Sequence, residues 1–297
     1  MRKHTYTYKI VGECRLCADV YGPCDRPPRP VILWMHGGAL IAGHREDIAP
    51  GEAAVFVEAG YAVVSIDYRL APRSKLDAIM EDVQDAFDWM RTSGPELFGA
   101  DPGRVGTMGP SAGGYLALMT GFRLKPRPRA LVSVAGYGDV AGAWYSRPDP
   151  FYRRQPLVSE EAARSAVGGR ETVGSPGWKD GRGLFYLYCR QHGLWPLEVT
   201  GHDPDREPAA FDAFCPVRNL TADYPPTVLV HGDQDTDVPY EQSAMMAEGL
   251  AAAGVQHQFI TIAGGGHCSL GLNEAAAAGT YARILAFLDR YLKRARL

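Results

Sequence analysis

Short apolar runs alternate with amphipathic stretches along most of the chain, and that rhythm limits the fold more than any other feature. The runs are VILWM (31–35), YAVVSIDY (61–68), RVGTMG (104–109), ALVSVAG (130–136), PPTVLVHG (225–232) and QHQFITI (256–262). Most are continuously apolar, the pattern of strands buried on both faces of a parallel sheet. Between them the spacing predicts helices near 51–59, 76–93, directly behind Ser111, 240–253 and 273–294. The second carries Leu76, Ile79, Met80, Val83, Phe87 and Met90 at three- and four-residue intervals, one apolar stripe. The last ends in LKRARL, cations that suit the negative end of a helix dipole. Strands separated by helices form βαβ units, which force a parallel sheet covered on both faces. The first residues alternate instead as two antiparallel strands, near 5–10 and 14–21, turning at Gly12-Glu13, a common edge to such a sheet.

The rhythm breaks between 138 and about 220, a stretch rich in Pro, Gly, Arg and aromatics with helices expected near 159–167 and 183–193. The expectation is an α/β fold: one domain over 1–297, a mostly parallel central sheet flanked by helices, and a cap insertion at 138–220. A chain of 297 residues can bury a core without staples, and 46% hydrophobic against 22% charged residues excludes a disordered chain. Lys+Arg 31 against Asp+Glu 34 leaves no basic excess for nucleic acid. No apolar stretch approaches a membrane span. The opening MRKHTYTYKIVGE lacks the apolar block of a secretory signal, so the expected compartment is the cytoplasm, with the six cysteines as thiols. Cys14, Cys17 and Cys24 begin with the spacing of a zinc half-site, but no second half-site follows. They read as ordinary strand cysteines, and no metal is expected.

In open parallel sheets, ligands bind beyond the carboxyl ends of the strands. Strand 31–35 exits into His36-Gly37-Gly38-Ala39, and strand 104–108 into Gly109-Pro110-Ser111-Ala112-Gly113-Gly114. Strand 227–230 exits into His231-Gly232-Asp233-Gln234-Asp235, and strand 256–262 into Gly264-Gly265-Gly266-His267. A nucleophile, an acid and a base thus fall on one edge of one sheet. Gly109-x-Ser111-x-Gly113, with a strand before and a helix after, matches a nucleophile elbow, a sharp turn that exposes the serine hydroxyl. Glycines flank it because side chains there would collide across the turn.

Serine needs an adjacent base, itself oriented by a third group, and on such an elbow the acid and the base follow the nucleophile in that order. His257 lies inside a strand, whereas His267 follows three glycines in a loop and is the favoured base. Among Asp233, Asp235 and Asp237, spacing from the strand end favours Asp235. The other two are expected to satisfy loop and helix-start N–H groups. The oxyanion hole is expected from the amides of Ala112, Gly37 and Gly38, with His36 a structural brace.

On these residues the chain resembles the α/β-hydrolases, and is similar to bacterial esterases of the hormone-sensitive-lipase-like and prolyl-oligopeptidase-related branches. The resemblance is carried by HGGA (36–39), IDYRLAP (66–72), GPSAGG (109–114), HGDQDTDVP (231–239) and GGGH (264–267), and covers about 30–137 and 225–290. It implies hydrolysis of carboxylic esters through an acyl-enzyme, with Ser111, Asp235 and His267 as triad and no cofactor. Ala39 replaces the third glycine of the usual turn, and Pro110 stands where the lipase-like branch carries an acidic residue. The acid loop resembles the oligopeptidase and dienelactone-hydrolase branches more.

The expected partner is a small to medium ester, with no nucleic acid, no membrane span and a homodimer left open. Two other functions share the motifs: a peptidase or amidase with the same triad, and a non-catalytic binding protein, against which the complete triad argues. Trp144, Tyr145, Phe151, Tyr152, Phe185, Tyr186, Tyr188 and Trp195 crowd the insertion, and most are expected to form its own small core. Cys268 is expected to pack beside His267.

Overall fold

The computed structural model describes residues 1–22, 28–170, 172–175 and 181–293. Each apolar run forms a strand: β1 (Lys3–Val11), β2 (Cys14–Tyr21), β3 (Arg29–Met35), β4 (Ala62–Ile66), β5 (Ala100–Pro110), β6 (Ala130–Val134), β7 (Thr227–Gly232) and β8 (His257–Ile262). They make one sheet in the order β1-β2-β4-β3-β5-β6-β7-β8. Pairing is antiparallel from β1 to β2 and from β2 to β4, and parallel from β4 onward. Cys14 and Cys17 both stand on β2; Cys24 lies outside the described residues.

Alternate residues of β3 feed two cores because successive strand side chains point to opposite faces. Val31, Leu33 and Met35 pack with α2 (Leu76–Thr92) and α4 (Ala112–Arg123), while Ile32 and Trp34 pack with α1 (Pro50–Glu58) and α10 (Glu274–Leu292). The apolar stripe of α2 is buried as its spacing predicts. Each large side chain on it contributes about 1.5–3 kcal/mol by leaving water. The remaining helices of the wound sheet are the short α3 (Gly94–Phe98) and α9 (Glu241–Ala252).

Asp82 interrupts that stripe with a charge that has no exposed surface. The Arg69 guanidinium grips it with two hydrogen bonds, Nε to Oδ2 at 2.8 Å and Nη2 to Oδ1 at 2.9 Å, and the Arg69 amide donates a third. Lys9 Nζ adds an ion pair at 2.8 Å. This network ties the edge strand, the loop after β4 and α2 together. Beside it, Tyr68 donates its hydroxyl to the carbonyl of His36 at the head of the site.

Between β6 and β7 lie α5 (Ala143–Ser146), α6 (Glu160–Val167), α7 (Arg182–His192) and α8 (Trp195–Thr200). The spacing foresaw α6 and α7. It missed α5 and α8, which are under two turns and draw their stability from packing. The aromatics of this segment do not form a separate core: Tyr145, Phe185, Tyr186, Tyr188 and Trp195 join the same cluster as Leu40, Tyr68 and Ile79 of the sheet side, and Phe151 stays exposed. The same cluster takes in Ala39, Leu40 and Ile41 of the loop after β3. Polar anchors fix the register: Trp195 Nε1 donates to the Ala39 carbonyl at 3.0 Å, and Arg182 reaches the carbonyls of Ile41 and Ala71.

Removing Asp82 strips the buried Arg69 guanidinium of its bidentate carboxylate. Asp82→Ala is therefore expected to cost about 3–5 kcal/mol, read as a lower urea midpoint.

Candidate active site

Ser111 stands at the junction of β5 and α4 with φ 52° and ψ −120°, a conformation that costs a non-glycine residue on the order of 1–3 kcal/mol. The turn is held open by backbone: the Ser111 amide donates to the Val134 carbonyl at 2.7 Å, and its own carbonyl accepts from the Tyr115 amide. A Cβ on Gly109 would lie 2.6 Å from the backbone of Gly113, the collision across the turn that the motif implies. The tighter limit comes from outside it. Cβ atoms on Gly109 and Gly113 would stand 2.3 and 2.0 Å from the carbonyl oxygen of Met35, because the elbow is pressed against the end of β3.

That end continues as the His36–Ala39 turn, which closes on the serine: a Cβ on Gly37 would sit 3.5 Å from Ser111 Cβ. Gly38 has φ 101°, and its carbonyl accepts from the amides of Ile41 and Ala42. Ala112, first residue of α4, has an amide without an intrahelical partner. His36 is buried and stacks on Tyr68 with centroids 4.0 Å apart, its Nδ1 donating to the Gly37 carbonyl at 2.7 Å. Burial pushes its pKa down to about 4, so the ring is neutral near pH 7 and braces the turn.

Asp235, in the loop after β7, has no exposed side-chain surface and is surrounded by donors. Oδ1 accepts from the amides of Asp237 and Val238 at 2.8 and 3.0 Å. Oδ2 accepts from His267 Nδ1 at 2.7 Å and from His231 Nε2 at 3.1 Å. His231 is fixed from behind, with Nε2 also facing the Val238 carbonyl and Nδ1 facing Ser243 Oγ. His267, in the loop after β8, keeps 28% of its side-chain surface exposed. His257 stands on β8 and meets the carbonyl of Val255.

Ser111, Asp235 and His267 therefore follow the carboxyl ends of β5, β7 and β8, and the last two are joined. No hydrogen bond joins Ser111 Oγ to His267 among the described residues. His267 Nε2 instead faces Asp237 Oδ2 at 3.4 Å.

Two family models match parts of the chain: one described as BD-FAE over residues 18–127, and the Prolyl oligopeptidase family over residues 184–295. The first spans the Gly37-Gly38 turn and Ser111, the second Asp235 and His267. Esterase LipC of Mycobacterium tuberculosis is 27% identical over 94% of this chain and 62% of its own length. The non-reducing polyketide synthase ascC of Acremonium egyptiacum is 29% identical over 92% of this chain, which spans only 14% of the synthase. Among solved structures, an alpha/beta hydrolase superfamily protein from Enterococcus faecalis superposes with a TM-score of 0.72 at 20% identity, covering 97% of this chain and 99% of that one. The chain has the α/β-hydrolase fold. No helix among its described residues is long and apolar enough to cross a membrane.

The two titratable groups of this hydrogen-bonded pair, Asp235 and His267, are pushed apart. Burial alone would raise the Asp235 carboxyl, but the hydrogen bonds from His231 and His267 hold it well below the ordinary carboxylate range. Burial alone would lower the His267 imidazole; the bond to Asp235, the Cys268 sulfur and the field of Asp237 outweigh it and raise that pKa well above the usual value.

One expectation for the acid loop fails. Asp233 does satisfy a loop amide, that of Gly264 at 2.7 Å, but no backbone amide among the described residues donates to the Asp237 carboxylate. Its Oδ1 accepts from Tyr152 Oη at 2.6 Å, from Tyr186 Oη and from Arg190 Nη1 at 2.9 Å, all from the segment between β6 and β7. The loop amides of Asp237 and Val238 go to Asp235, and the amides at the start of α9 go to the carbonyls of Pro239 and Tyr240. Tyr186 and Arg190 were legible only as neighbours four apart on α7; nothing local indicates that they meet an aspartate after β7.

The tight fit of the elbow gives a paired prediction. Gly113→Ala should cost about 1–3 kcal/mol or more, since backbone cannot yield as a side chain does. Gly279→Ala on α10, where an added carbon meets nothing, should instead gain about 0.5–1 kcal/mol. Thermal melts of the two variants check both signs.

Proposed function

We propose that this α/β-hydrolase is a serine carboxylesterase that cleaves small to medium esters through an acyl-enzyme on Ser111, with residues 138–220 acting as a cap over the site. The observation that carries the reading is the buried Asp235 held against His267, on the same sheet edge as a serine with positive φ. In the proposed cycle His267 Nε2 takes the hydroxyl proton as Ser111 Oγ attacks the ester carbonyl carbon. The charge that develops on the carbonyl oxygen is met by the amides of Gly37, Gly38 and Ala112. The tetrahedral intermediate collapses as the carbon–alkoxide bond breaks, and His267 returns the proton to the departing alcohol. Water then repeats the sequence and releases the acid, so the cycle consumes only ester and water. Asp235 keeps the imidazole tautomer and stabilises its charge. The similarity to Esterase LipC supports esters as the substrate class.

A peptidase reading has its own support in the Prolyl oligopeptidase family match over residues 184–295. Parallel rates on a p-nitrophenyl ester and an aminoacyl p-nitroanilide separate the two, with the ester expected to be much the faster.

Ser111→Ala should lower ester turnover by about 10⁴-fold or more and abolish labelling by a fluorophosphonate probe. Retained turnover would sink the assignment, and wild-type protein that resists the probe would revive a binding role. Asp235→Asn, which replaces the carboxylate acceptor facing His267 Nδ1 with an amide, should lower kcat by about 10³–10⁴-fold with the fold intact by circular dichroism.

A further inference from the structure

The imidazole of His267 is bridged between two carboxylates. Nδ1 lies 2.7 Å from Asp235 Oδ2, and Nε2, the atom that must accept the serine proton, lies 3.4 Å from Asp237 Oδ2. A proton on Nε2, favoured by the nearby Asp237 carboxylate, makes the ring an imidazolium with no lone pair for Ser111. Asp237 is in turn held from the insertion. Arg190 Nη1 bonds both its Oδ1 and its backbone carbonyl at 2.9 Å, while Tyr152 and Tyr186 donate hydroxyls to the same Oδ1. Arg190 is 1% exposed, paired through Nη2 with Asp149 and packed over the rings of Tyr152 and Tyr145 at 4.5 and 5.0 Å.

We propose that Asp237 is a positioning residue that parks His267 away from Ser111 in the resting enzyme, and that Arg190, Tyr152 and Tyr186 of the insertion set how firmly it holds. The inference rests on reading His267 as the base. Before attack, the Nε2 proton must leave and the ring must turn from Asp237 toward Ser111 Oγ. Every donor on Asp237 Oδ1 draws charge from the carboxylate and weakens its claim on Nε2. The long 3.4 Å contact, beside the 2.7 Å bond to Asp235, fits a hold that can be released while the Asp235 anchor stays. The charged and titratable groups around the ring are Asp235 with His231 behind it, Asp237 with Arg190, Tyr152 and Tyr186 behind it, and Cys268.

The signs are opposite for the two sides of the contact, which makes the idea testable. A carboxylate beside His267 favours the protonated ring, so Asp237→Asn should move the acidic limb of kcat/KM down by about one pH unit or more. It should raise activity below that limb accordingly. Tyr152→Phe removes a donor, leaves more charge on Asp237 and should move the limb upward. A structural role for Asp237 would instead lower activity at every pH without shifting the limb. The readout independent of turnover is the NMR titration of His267 in a Ser111→Ala background, its signal identified by loss in His267→Gln. A lower midpoint with Asp237→Asn and a higher one with Tyr152→Phe support the proposal, even if Ser111→Ala proves that hydrolysis uses another residue. An unchanged midpoint in Asp237→Asn overturns it, even if Ser111 is the nucleophile. Should Asp237→Asn fail to fold, Tyr152→Phe decides by the same titration: an unmoved or lowered midpoint overturns the proposal.

Discussion

The candidate site is organised around one carboxylate that has no contact with water. Asp235 is stable as an anion there because two backbone amides, His231 and His267 all donate to it. A buried carboxylate with fewer donors would take up a proton and lose its grip on the imidazole. Each donor comes from a different constraint: the amides from the loop's own turn, His231 from the end of β7, and His267 from the loop after β8. Local turn chemistry and parallel pairing of β7 with β8 must both be in place before Asp235 can meet His267.

A second constraint runs along the serine side. The elbow is pressed against the carbonyl of Met35, and the turn after β3 is braced by the stacked, neutral His36 and by Tyr68. The segment between β6 and β7 then touches both sides of the site. Trp195 and Arg182 reach the carbonyls of the loop after β3, while Arg190, Tyr152 and Tyr186 converge on Asp237. Its aromatics are consumed largely in that docking, which is why they merge with the sheet's core. A buried guanidinium surrounded by phenol rings and two carboxylates resists displacement, since moving it would part opposite charges in a space with little water.

Much of this was legible in the sequence, for reasons that are local. Continuous apolar runs declare strands covered on two faces, and the stripe on α2 declares a helix. Glycines two before and two after Ser111 declare a turn without room for side chains. Asp235 stood out by its distance from the strand end and His267 by its glycine-rich approach, and the two do meet. Asp82 was invisible as a partner of Arg69 because thirteen residues and a change of element separate them.

By itself the sequence determined the wound sheet, the elbow and the placement of Ser111, Asp235 and His267 at three strand exits, since periodicity, chirality of crossovers and turn sterics act over a few residues. Only the tertiary structure decided what the second nitrogen of His267 faces. Asp237 reads as a helix-start residue until α7 swings Arg190 and Tyr186 onto it, and its outer oxygen then meets the imidazole. That outcome depends on charges brought together from distant segments inside a space without water, and no spacing along the chain encodes it.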